Sequence, residues 1–208
     1  LIPFDAHLMI NEPVKHVHDY IDAGSDIITV HAEVCDESSF GEICDVLHSN
    51  EVGIGLAINP VTELPQWCYK FVELLDQVII MSVVPGKSGQ KFIESTHEKT
   101  RRIAKDLREH KFEGYVEADG GVNLENIGAC FEDGARAFVG GSAIIGQNDV
   151  RMIIKEFRNQ VLESRRRLLI KKAHDLGGTE LVNSWIDLHV VGEKKDKLIQ
   201  IAKELGFQ

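Results

Sequence analysis

Two stretches decide the fold: Tyr115-Val116-Glu117-Ala118 running into Asp119-Gly120-Gly121, and Ala137-Phe138-Val139 running into Gly140-Gly141-Ser142-Ala143. Each is a short apolar run that ends in a glycine-bearing loop. Between them residues 126–133 alternate as an amphipathic helix, and Gly134 stands where a helix ends in the left-handed conformation. Strand, loop, helix, strand is the rhythm of a parallel sheet with crossover helices. Working outward, residues 4–9, 27–31, 53–58 and 78–81 read as further strands. Several are rich in Val and Ile, as expected of strands covered on both faces. Residues 14–23, 40–49 and 99–110 read as the intervening helices, with Pro13 at a first helical turn and Gly24 at a helix end. Six such units account for residues 1 to about 146, whereas a closed barrel of this kind has eight. A long charged helix is expected over 149–174. After Gly177-Gly178 come a strand-like run over 185–191 and a last helix over 194–205.

Composition narrows the function. The 208 residues carry a formal net charge of −10, with 43% hydrophobic and 27% charged residues. This is the balance of an ordinary soluble globular chain. The acidic charge argues against a nucleic-acid partner, which needs a basic face. The one basic stretch, Arg165-Arg166-Arg167 with Lys171-Lys172, reads as a solvated helix face. No apolar run reaches membrane-spanning length, and the first residues carry no signal-peptide pattern. Cys35, Cys44, Cys68 and Cys130 form no metal-binding or disulfide spacing, so reduced thiols and a cytoplasmic location are expected.

Three glycine-bearing loops follow three successive strands: Pro85-Gly86-Lys87-Ser88-Gly89-Gln90, Asp119-Gly120-Gly121 and Gly140-Gly141-Ser142-Ala143. Glycine lets backbone N–H groups approach an anion closely, and loops of this form make nests for phosphate. One such loop means little, while three at strand C-terminal ends point to a phosphate site. Asp119 ends its strand at the barrel mouth, as a metal ligand, a general base or an ordinary turn aspartate. Period-2 alternation puts Asp5, His7 and Met9 on one strand face. His31 ends a strand and, with His16, His18, His48, His97, His110 and His174, is read as structural or solvated. Trp67, Tyr69 and Phe71 read as packing residues.

The motifs resemble the ribulose-phosphate 3-epimerase family in family order. Phe4-Asp5-Ala6-His7-Leu8-Met9-Ile10 is similar to the third strand, and Asp26-Ile27-Ile28-Thr29-Val30-His31-Ala32-Glu33 to the fourth. Gly55-Leu56-Ala57-Ile58-Asn59-Pro60 is similar to the fifth. Ile80-Met81-Ser82-Val83-Val84-Pro85-Gly86 with Gly89-Gln90-Lys91-Phe92 resembles the sixth. Glu117-Ala118-Asp119-Gly120-Gly121-Val122-Asn123 resembles the seventh, and Gly140-Gly141-Ser142-Ala143-Ile144 the eighth.

The resemblance implies an α/β fold of the (β/α)8 TIM-barrel type. Here it is an incomplete barrel that lacks the family's first two βα units and carries a C-terminal helix-strand-helix extension. Residues 1–160 would form the ribulose-phosphate-binding barrel, family strands 3 to 8. Residues 161–208 would pack on it or complete it. The implied activity is metal-assisted removal and return of the C3 proton of a pentulose 5-phosphate through an enediolate; the alternatives are a hexulose 6-phosphate 3-epimerase or a non-catalytic sugar-phosphate binder. His7 and Asp119 would bind a divalent ion (Zn, Fe, Mn or Co), and Asp119 would also be an acid/base. Met9 and Met81 would wall the site. His7 would touch substrate, and Gly86, Lys87, Ser88, Gly89, Gly120, Gly121, Gly141 and Ser142 would hold the phosphate. A homo-oligomer is expected, because an open sheet leaves unpaired edges.

The chain departs from the family at the loop Gly86-Lys87-Ser88-Gly89, where the family has Gly-Phe-Gly-Gly. It also departs at Val84, in place of Asn, and at Ala118, in place of Val. The missing units carry a His-x-Asp pair that supplies the second acid/base and two metal ligands. Asp187 and His189 share one face of the run over 185–191 and are the candidates to replace that pair.

Overall fold

The computed structural model describes residues 2–175 except Ser88. The run over 185–191, with Asp187 and His189, and the helix over 194–205 lie outside the described residues.

Six strands, β1 (Asp5–Leu8), β2 (Ile27–His31), β3 (Gly53–Ile58), β4 (Gln77–Met81), β5 (Tyr115–Asp119) and β6 (Ala137–Val139), lie in sequence order in one sheet. Every neighbouring pair is parallel. The helices are α1 (Val17–Asp22), α2 (Glu37–Ser49), α3 (Thr96–Glu109), α4 (Ile127–Asp133), α5 (Ser142–Ile145) and α6 (Val150–Asp175). Among the described residues the expected barrel architecture is present as an open, curled sheet with β1 and β6 at its edges.

The curl follows from two distances. Strands sit about 4.8 Å apart, so β1 and β5 would be about 19 Å apart in a flat sheet. Yet Nδ1 of His7 on β1 lies 3.4 Å from Oδ2 of Asp119 on β5. Lower down, Nε2 of Gln77 on β4 donates to Oδ2 of Asp5 on β1 at 2.7 Å. Both contacts require the sheet to close on itself.

Alternation sorts the side chains. Outward-facing Ile28, Val30, Leu56, Ile58, Val78 and Ile80 are buried under the helices, where Phe40, Ile43, Leu47, Ile103 and Leu107 complete the main core. A second cluster around Ala118, Ile127, Cys130 and Phe157 joins β5, α4 and α6. Inside the curl, Ala57, Ile79, Met81 and Val83 form an apolar floor below the mouth. Beneath it lies a polar layer, in which Gln77 donates to Asp5 and, at 2.6 Å, to Oγ1 of Thr29. Gly55 makes room for that layer, since a Cβ there would sit 2.0 Å from Oγ1 of Thr29.

The strands at 27–31, 53–58 and 137–139 have the expected bounds. β4 and β5 each gain a residue, because Gln77 pairs with Gly55 and Asp119 with Met81. Asp119 is therefore the last residue of a strand, and its direction is set by the sheet. The helix expected over 14–23 divides. The Pro13 carbonyl accepts the His16 N–H at 2.9 Å and closes a 3-10 turn, so α1 begins only at Val17. Between β3 and β4 a 3-10 helix, Gln66–Lys70, replaces an α-helix, and Trp67 and Phe71 pack on Phe40. Gly24 and Gly134 take the left-handed conformation (φ 89° and 118°).

α6 runs unbroken through residue 160 and packs on α4, where Gly128 allows the approach of Ser164: a Cβ at Gly128 would lie 2.7 Å from its Oγ. Among the described residues no helix is long and apolar enough to cross a membrane. The four cysteines are free, and burial pushes the thiols of Cys44, Cys68 and Cys130 up to about 12. None of these three is poised as a thiolate.

Candidate active site

A cleft of about 410 Å³ opens at the C-terminal ends of the strands. Asp119, the buried Met81 and the exposed Met9 line it. The glycine loops line it too, through Gly86, Lys87 and Gly89, through Gly120 and Gly121, and through Gly141 and Ser142. The structure thus brings together every described residue proposed for the site. His7 joins through its contact with Asp119, and Ser88 lies outside the described residues.

The loops are held by their own hydrogen bonds. Nε2 of Gln90 donates to the carbonyls of Val84 (2.6 Å) and Lys87 (2.8 Å), which ties the first loop into a ring. The Ser82 hydroxyl donates to the carbonyls of Asp119 (2.9 Å) and Gly120 (2.7 Å), and the Ser82 N–H donates to Asp119 O at 2.6 Å. Nδ2 of Asn126 donates to Gly121 O at 3.1 Å. These bonds occupy carbonyl oxygens of the loops, so the groups left to meet an anion are N–H groups.

His7 Nδ1 and Asp119 Oδ2 are both largely shielded from solvent and 3.4 Å apart. Donors bonded at about 2.0–2.1 Å to one tetrahedral ion stand about 3.3–3.4 Å apart, so this pair matches one edge of such a site. Imidazole and carboxylate are also the donor types that first-row divalent ions take. Among the described residues no group of three or more His, Cys, Asp or Glu is placed to hold a metal ion. By distance and donor type, His7 and Asp119 fit as two of the donors to such an ion.

The sequence profile of the Ribulose-phosphate 3 epimerase family matches residues 1–145. This chain belongs to the ribulose-phosphate 3-epimerase family. It is 37% identical over 159 residues to the Ribulose-phosphate 3-epimerase of Escherichia coli K12, covering 76% of this chain and 69% of that protein. The Bacillus subtilis 168 protein of the same name is 37% identical over 158 residues, covering 76% of this chain and 71% of its own length. Among solved structures, KGPDC from Streptococcus mutans superposes with a TM-score of 0.57 at 14% identity, over 77% of this chain and 72% of that one. A 3-hexulose-6-phosphate synthase superposes at 0.53 with 19% identity, over 72% and 69%. At these identities the structural likeness establishes the fold alone.

Two residues of this epimerase-family chain, His31 and, beyond it, Glu33, stand next to His7. His31, read as structural or solvated, is buried beside the site, with its Nε2 2.9 Å from Nε2 of His7. Its Nδ1 lies 3.2 Å from Oε2 of Glu33, whose Oε1 accepts the Asn59 N–H at 2.7 Å. Burial acts to raise Glu33. The hydrogen bonds from His31, Thr62 and the Asn59 backbone outweigh it and bring the carboxyl to about 2, so Glu33 is ionised. The signal was the His-x-Glu spacing at the end of β2, which puts both side chains on the mouth side.

Glu117 lies one inward step below Asp119 and is buried. Burial, with Asp5 and then Asp119 adding repulsion, pushes it up to about 8. The unfolded glutamate loses its proton near 4.5, whereas the folded one keeps it to about 8. Between these values the folded state binds more protons, so stability falls as pH rises. Glu117→Gln is therefore expected to flatten the loss of stability between pH 5 and pH 8.5. The variant should gain on the order of a few kcal/mol over wild type at the alkaline end. Urea midpoints in chelator across that range measure it, and parallel curves would show that Glu117 titrates normally.

Proposed function

We propose that this chain is a metal-assisted 3-epimerase of a pentulose 5-phosphate, interconverting ribulose and xylulose 5-phosphates. The observation that carries the reading is the His7–Asp119 pair, whose Asp119 shares one cleft with the glycine loops. The N–H groups of the loops hold the phosphate, and Lys87 adds positive charge at the rim. Met9 and Met81 exclude water from the reacting carbons. The carboxylate of Asp119 takes the proton from C3, next to the C2 carbonyl, where the charge left behind is delocalised onto oxygen. A divalent ion of the Zn, Fe, Mn or Co type, held by His7 and Asp119, would supply positive charge against that developing on the substrate oxygens. Inversion needs a second acid on the opposite face of C3. Asp187, with His189, is our candidate within this sequence.

A second reading has one observation behind it: among the described residues, Asp119 is the carboxylate lining the cleft. With a single base, the proton leaves and returns on one face, and no epimer forms. Incubating the chain with ribulose 5-phosphate and each metal in D2O separates the two. Deuterium at C3 together with xylulose 5-phosphate is expected for the epimerase. Deuterium without inversion would mean that Asp119 acts alone. A folded protein giving neither product would leave only a sugar-phosphate binder. The same assay on allulose 6-phosphate tests the hexulose alternative.

A further inference from the structure

We propose that Glu33 and His31 are positioning residues that fix the tautomer of His7, so that its Nδ1 presents a bare electron pair toward Asp119. This rests on the metal-assisted reading above and deepens it. The argument starts at the Asn59 N–H, which donates to Oε1 of Glu33 and fixes how the carboxylate is turned. Oε2 then faces Nδ1 of His31 at 3.2 Å. A carboxylate only accepts, so the proton of a neutral His31 ring stands on Nδ1 and its Nε2 is an acceptor. That acceptor lies 2.9 Å from Nε2 of His7. The ring planes are 16° apart, and the nitrogens are closer together than the 5.0 Å between ring centroids. The rings therefore meet edge to edge, as a hydrogen bond in the ring plane requires. In a neutral His7 ring Nε2 is then the donor, which leaves no proton for Nδ1. Nδ1 is left with a lone pair 3.4 Å from the Asp119 carboxylate. Two electron-pair donors facing each other at that distance form a seat for a cation.

The relay crosses three strand ends and a loop, and each link sets the next. Partners of this kind orient imidazole ligands in metal sites generally, and their loss lowers metal affinity about 10–100-fold. A replacement of identical shape reads the device. In Glu33→Gln the amide oxygen must still face the Asn59 N–H, because an NH2 there would put donor against donor. The NH2 then faces Nδ1 of His31, which becomes the acceptor. The His31 proton moves to Nε2, His7 accepts at Nε2, and the His7 proton moves to Nδ1, which closes that atom to a cation.

The experiment is ring-nitrogen NMR of the metal-free protein at about pH 8, above the ordinary imidazole range, with Co2+ titrations alongside. In the wild type, His7 is expected to carry its proton on Nε2. In Glu33→Gln it should carry it on Nδ1, with Co2+ affinity down about 10–100-fold in a protein that is still folded at the assay temperature, though less stable because the ionised carboxylate is gone. His31→Phe removes the acceptor without imposing the wrong tautomer, so its Co2+ affinity should lie between the two. A purely structural role predicts the reverse order, since Gln is the smaller change. A proton on Nδ1 of His7 in the wild type, or the same His7 tautomer in wild type and Glu33→Gln, overturns the proposal. If His31→Phe alone folds, an affinity equal to wild type overturns it. Absence of turnover and of Co2+ binding, with the tautomers as stated, would instead defeat the functional reading and leave the relay standing.

Discussion

Asp119→Asn is expected to lower the rate of C3 proton exchange on ribulose 5-phosphate by about 10²–10⁴-fold, the range for loss of a positioned base. That is about 3–5 kcal/mol of transition-state stabilisation. The fold should survive, because the bonds that hold this corner run through the backbone: the Asp119 carbonyl accepts from Ser82, and β5 pairs with Met81 on β4. The glycine loops proposed to hold the phosphate do not use the carboxylate, so KM should change far less than kcat. Asparagine has the same shape, but it cannot take a proton and is a poor ligand. Metal content must therefore be measured with the rate. If excess metal restores occupancy and the rate stays low, the base role is separate from the ligand role. A variant exchanging C3 within a few-fold of wild type would place the base elsewhere.

The outward half of this fold was legible and the inward half was not, for a physical reason. Strands covered on both faces announce themselves by apolar runs, rich in Val and Ile in β2 and β4, and the alternation with helices gave the rest. Inside a curled sheet, however, side chains meet across strands that are not neighbours. Gln77 reaches Asp5 across 72 positions, and His7 reaches His31 across 24. No local period records such pairs. The glycine loops were legible because their chemistry lies in the backbone of a few consecutive residues. Motif order singled out His7 and Asp119, and the structure places them 3.4 Å apart. The relay through His31 and Glu33 needed the closure of the curl, since a histidine at a strand end reads the same whether it meets solvent or another imidazole. The split of the first helix at His16 depends on a single proline turn and lies below the resolution of amphipathic patterning.

Gly121→Ala is expected to have the other large effect, on stability and binding together. Gly121 has φ 65°, and a Cβ there would stand 2.5 Å from N and 2.8 Å from Cα of Phe92. Those atoms are backbone and cannot turn aside. An L residue in the left-handed region costs about 1–2 kcal/mol, and forcing apart a packed contact adds about 1–3 kcal/mol. The strain can relax only by moving the loop after β5 away from the loop after β4. Both loops line the cleft, through Gly120 and Gly121 and through Gly86 and Gly89. A displacement of about 1 Å at such a site can lower kcat/KM on the order of 10²-fold. Gly141→Ala is the control: it lies in the same cleft, but a Cβ there meets nothing within 4 Å. Urea unfolding should show a loss of about 2–5 kcal/mol for Gly121→Ala and a much smaller change for Gly141→Ala. Equal stability of the two variants would mean that the loops are not in close contact, and the phosphate seat as described would not exist.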